Sequence, residues 1–97
     1  MRFSFHPEAV YELTQSAEYY QKLAINLGNE FLDDVFSTIL RIIEFPDAFP
    51  ILSRKSRKCL VNRFPFAIIY QVREEEIFIV AVTHLSRKPG YWKKRVK

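Results

Sequence analysis

The main change in the spacing of apolar residues along this chain falls across Phe45–Leu52, which carries Pro46, Asp47 and Pro50. Proline removes a backbone donor and cannot continue a helix, so this stretch is a connection between two differently built halves. Before it, apolar residues recur at spacings of three and four, as one face of a helix requires. After it, β-branched and aromatic residues gather in short runs, as strands require.

In the first half, Arg2–Phe5 alternates polar and apolar and predicts a short strand. His6-Pro7 follows, with proline suited to the first helical position. From there Val10, Leu13, Ala17, Tyr20 and Ala24 line one face of a helix ending near Gly28. Its other face holds Glu8, Glu12, Gln15, Glu18 and Lys22 and is expected to be solvated, in preference to a docking surface. A second helix starts after Gly28 with Asn29 as cap, buries Leu32, Val35, Phe36, Ile39, Leu40 and Ile43, and stops at Pro46. The short break at Leu27–Asn29 folds the two helices back as a hairpin.

In the second half, strands are expected at Lys58–Val61, Phe64–Val72 and Ile77–Thr83. Arg73–Glu76 joins the last two as an antiparallel hairpin, and Ile77–Val82, apolar on both faces, suits a central position. The expected class is therefore α+β with the order β-α-α-β-β-β, a helical hairpin on a mostly antiparallel four-stranded sheet. With 97 residues the chain can close one core, so residues 1–97 are read as one domain. No run of about 18 uncharged apolar residues is present. The N-terminus lacks a charged region followed by an apolar one, so no removable leader is expected and cytoplasm is the expected location.

The net charge of +4 hides an asymmetry: residues 1–52 hold three basic and eight acidic groups, whereas residues 53–97 hold twelve basic and three acidic ones. The halves thus carry −5 and +9. A basic surface attracts polyanions by releasing their counterions, which makes nucleic acid or an acidic protein tail the expected partner of the second half. Two isolated histidines and two glycines supply neither a metal cluster nor a phosphate cradle, so no metal or cofactor is expected. Cys59, alone, is a small packing residue in preference to a reactive thiol. What remains is Arg54, Lys55, Arg57, Lys58 and Arg63 with the segment His84–Arg95, whose lysines and arginines could hold phosphates. Tyr91 and Trp92 either stack on an unpaired base or cover the end of the sheet. His84 either moves a proton or makes a structural hydrogen bond.

The element order, Phe45-Pro46, Phe66-Ala67-Ile68-Ile69-Tyr70-Gln71-Val72 and His84-x-x-Arg87-x-Pro89-x-x-Trp92 together resemble the RelE/ParE toxin superfamily, over nearly the whole chain. The resemblance implies the toxin of a type II toxin–antitoxin system, a growth inhibitor linked to plasmid stabilisation. It also implies a cognate antitoxin, acidic and folding as it binds, in a hetero-oligomer with the toxin. RelE-like members cleave messenger RNA on the ribosome, whereas ParE-like members inhibit DNA gyrase. The ribonuclease pattern needs a Lys-x-Lys pair that falls on Lys58 and Leu60, an arginine that falls on Ala67, and a tyrosine that falls near Lys93; its other arginine matches Arg87. Losing a cation aimed at the transition-state phosphate costs about a hundredfold or more in rate. The expectation is therefore non-catalytic inhibition of gyrase. The alternatives are a metal-independent endoribonuclease using Lys58, Arg63, His84, Arg87 and Tyr91, and a non-toxic basic binding module. The expected target- or antitoxin-binding surface is Arg57, Lys58, Arg63, Arg87, Lys88, Tyr91, Trp92 and Lys93.

Overall fold

The computed structural model describes residues 1–97. Strand β1 (Arg2–Phe5) leads into helix α1 (Pro7–Leu23), helix α2 (Leu27–Glu44), and strands β2 (Arg57–Leu60), β3 (Phe66–Arg73) and β4 (Glu76–His84). A 3₁₀ helix, Tyr91–Arg95, follows. The sheet order is β1-β4-β3-β2, with β1 parallel to β4 and the other two pairings antiparallel. The expected α+β order and the central place of β4 are both observed. No helix is long and apolar enough to cross a membrane.

Local chemistry accounts for the element ends. His6 caps α1, its Nδ1 accepting from the Glu8 amide at 3.1 Å, with Pro7 at the first helical position. The helices break three residues earlier than the sequence suggests, at Asn26 in the left-handed region (φ 64°), a conformation asparagine tolerates. Gly28 and Asn29 consequently lie inside α2. Gly28 is needed where it is: a β-carbon there would sit 2.6 Å from the Ala17 carbonyl oxygen, so only glycine lets the hairpin close.

The helices cover one face of the sheet, enclosing Leu13, Phe31, Val35, Ile39, Phe66 and Tyr70 among others. The buried faces are rotated from those read in the sequence. On α1 Ala9 is buried while Val10 and Ala24 are exposed. On α2 Phe31 and Ile42 are buried while Phe36 and Leu40 are exposed. Both shifts have one cause, since each helix must face the other helix and the sheet together. Cys59 packs into this core as expected.

A second, smaller core lies on the opposite face of the sheet, where Trp92 and Val96 cover Ile69, Val80 and Ala81. A bulge at Ile69/Tyr70 pairs Ile69 with Ala81 and Tyr70 with Ile79, leaving Val80 as the extra residue. Val80 and Ala81, though adjacent, can thus both belong to this core.

Tyr70 is fully buried, donates its hydroxyl to the Pro46 carbonyl at 2.7 Å, and burial pushes its pKa up to about 12. The fold therefore favours the neutral phenol, whose ordinary pKa is about 10. Its contribution is complete below pH 10 and is lost as the pH rises from about 10 to about 12. Urea midpoints are expected to fall across that window, and Tyr70→Phe to flatten the fall while losing about 1 kcal/mol at neutral pH. An equally steep decline in Tyr70→Phe would assign it to other groups.

Candidate functional site

The helix-free face of the sheet gathers part of the basic half of the chain. On β2, Lys58 and Leu60 pair with Ile69 and Ala67, and all four side chains alternate away from the helical core that Cys59 and Ile68 enter. A hollow of about 390 Å³ opens there. Ala67, Ile69 and Thr83 contribute to its lining, together with Lys58, His84, Arg87, Lys88, Tyr91 and Lys93.

This brings together most, and not all, of the residues read from the sequence. Arg57 is turned to the helical side, where it donates to the Asp47 and Phe49 carbonyls at 3.0 and 2.7 Å. Arg63 sits beyond β2, paired with Glu30 of α2 at 2.8 Å, while its backbone amide donates to the buried Asp34 carboxylate. Trp92 is only 4% exposed and is committed to the second core, so its ring offers no open stacking face. Of the two roles read for it, covering the sheet is the one observed. His84 stacks edge-on against Phe66, and Ser86 donates its backbone amide to His84 Nδ1 at 3.0 Å.

The residue the sequence did not reveal is Glu12. It lies on the face of α1 expected to be solvated, yet its side chain is only 9% exposed. Arg95 grips it in a two-pronged pairing, Nη1 to Oε1 and Nη2 to Oε2, both at 2.9 Å. Tyr91 donates its hydroxyl to Oε2 at 2.5 Å, and the Val82 amide donates to Oε1 at 3.0 Å. Arg87 reaches Oε2 at 3.6 Å while its guanidinium lies 3.7 Å from the Tyr91 ring centroid. Burial opposes the charge of Arg95, but the hydrogen bond and attraction of Glu12 outweigh it and raise the Arg95 pKa. Burial and the bond to Glu12 raise the Tyr91 pKa as well, keeping the phenol neutral.

The C-terminal segment is tied down at its other end too. Arg54 donates to the Lys93 and Val96 carbonyls at 3.3 and 3.2 Å from a turn in which Arg54 and Lys55 are both left-handed (φ 58°). The Arg54 carbonyl in turn accepts from Gln71 Nε2. Local sequence carries no signal for these ties, because Glu12 and its partners are 70 to 83 residues apart.

Comparison with known proteins agrees with this architecture. The family model described as the ParE toxin of the type II toxin–antitoxin system, parDE, matches residues 3–89. A solved structure described as the chromosomal ParDE toxin–antitoxin system from P. aeruginosa superposes with a TM-score of 0.62. That match covers 87% of this chain and 95% of the other at 17% identity, a likeness of fold. No curated protein matches the chain. With a family model spanning all but its ends, the chain belongs to the ParE toxin family of type II toxin–antitoxin systems.

Proposed function

We propose that this toxin arrests growth by occupying DNA gyrase and not by cutting RNA. The observation that carries the reading is the pairing of Leu60 with Ala67 across β2 and β3. These are the two positions where ribonucleolytic relatives would aim cations at phosphate, and here they are cross-strand neighbours forming an apolar patch. Phosphodiester cleavage builds negative charge on a five-coordinate phosphorus, and each missing cation costs about a hundredfold or more. The other candidates are engaged: Tyr91 donates to Glu12, Arg87 is shared between Glu12 and the Tyr91 ring, and Arg63 is paired with Glu30. A neutral, hydrogen-bonded phenol is poorly suited to accept a proton.

Lys58 and His84 lining one hollow favour a second reading, metal-independent RNA cleavage. Inducing the toxin and following transcript ends and plasmid topology in the same cells separates the two. Intact transcripts with loss of negative supercoiling are expected; new transcript ends with unchanged topology would overturn the gyrase reading. The cognate antitoxin is proposed to be an acidic segment that folds as it covers the basic face. Neutralising Lys58 and Arg87 should then weaken the complex; equal affinity would place its docking site elsewhere.

A further inference from the structure

The cations of residues 53–97 divide by type. Every arginine there has a partner within the chain: Arg54 the Lys93 and Val96 carbonyls, Arg57 the Asp47 and Phe49 carbonyls, Arg63 Glu30, Arg73 Gln71 and the Phe78 ring, Arg87 and Arg95 Glu12. None of the six lysines, Lys55, Lys58, Lys88, Lys93, Lys94 and Lys97, makes a side-chain hydrogen bond or an ion pair. Arginines build this half of the molecule, and lysines are left facing outward.

Three of those lysines, Lys58, Lys88 and Lys93, converge on the hollow of the helix-free face. Lys55 stands on the turn that Arg54 ties to the 3₁₀ helix. We infer that this lysine face binds the phosphate backbone of double-stranded DNA without reading its sequence, so that the toxin contacts gyrase and its DNA together. The DNA contact deepens the gyrase reading and rests on it for its biological setting.

Three observations support duplex DNA as the polyanion on this face. Lysine is a compact point charge that holds a phosphate without a fixed geometry, which suits a backbone bound without readout of its sequence. Single-stranded RNA is held largely by aromatic stacking, and the large aromatic rings of this face are already engaged. Trp92 is buried, Tyr91 is covered by Arg87, and Phe78 lies under Arg73 at 4.0 Å. The helical side also presents acidic residues, including Glu8, Glu18 and Asp33, which repel DNA and leave one orientation for its approach.

Fluorescence anisotropy of the purified full chain with a labelled duplex of about 25 base pairs tests this, with single-stranded RNA and polyglutamate of equal charge as parallel probes. Duplex binding is expected to be the tightest of the three and to weaken steeply with salt. Lys58→Gln, Lys88→Gln and Lys93→Gln should each cost about fivefold to tenfold near 0.1 M salt and lower the slope of log K against log salt by about 0.9. The triple variant should lose about a hundredfold or more, whereas Lys22→Gln on α1 should bind as the parent does. Salt-insensitive or absent duplex binding, a triple variant matching the parent, or RNA or polyglutamate bound as tightly as duplex would each overturn the inference. Gyrase supercoiling, assayed separately, keeps the two ideas apart: DNA binding without inhibition of gyrase would remove the gyrase reading and leave the DNA contact standing.

Discussion

Glu12→Ala is expected to destabilise the protein by about 3 kcal/mol or more, the largest effect of any polar substitution on α1. The substitution leaves Arg95, only 11% exposed, without the carboxylate that grips it through two bonds. It also strands the Val82 amide and the Tyr91 hydroxyl. An unpaired buried charge costs several kcal/mol, against a total stability of about 5–15 kcal/mol for an ordinary domain. Glu12→Gln keeps an acceptor and loses the charge, so it should fall between the parent and Glu12→Ala. Urea denaturation of the three proteins reads this directly. A change under about 0.5 kcal/mol in Glu12→Ala would mean that the residue behaves as an ordinary solvated helix position.

Trp92→Ala should cost about 3–5 kcal/mol, as expected for emptying an aromatic site in a packed core. The ring closes the second core over Ile69, Val80 and Ala81, with Phe78 and Tyr91 packed at its edge. Val96, from the same segment, would lose its neighbour, and the 3₁₀ helix should loosen while the main helix–sheet core stays intact. Near-ultraviolet circular dichroism with thermal melts would follow both. A variant as stable as the parent that binds single-stranded RNA more weakly would identify Trp92 as a stacking platform, contrary to its burial.

The order of the elements was legible because the period of the apolar pattern changes at Phe45–Leu52, and Pro46 marks the end of α2 cleanly. The buried faces were less legible. Leu32, Phe36 and Leu40 and then Phe31, Val35 and Ile42 form overlapping stripes on α2, and only the joint demands of α1 and the sheet decide between them. Asn26, not Asn29, marks the break because a left-handed residue, and not a side-chain cap, turns the chain there. Lys58, Arg87, Lys88 and Lys93 were readable as one surface because strand pairing gathers them, whereas Arg57 and Arg63 were misplaced for lack of strand-face and loop information. Glu12 was invisible because a polar residue on a helix is assigned to solvent unless a distant partner claims it. Its partners come from β4 and the C-terminal segment, which only the tertiary fold brings near.

The mechanism turns most directly on supercoiling of relaxed plasmid by purified gyrase, followed as purified toxin is added. Supercoiling is expected to fall steadily with the ratio of toxin to gyrase and to recover when cognate antitoxin is supplied. Unchanged supercoiling with toxin in clear excess would contradict gyrase as the target.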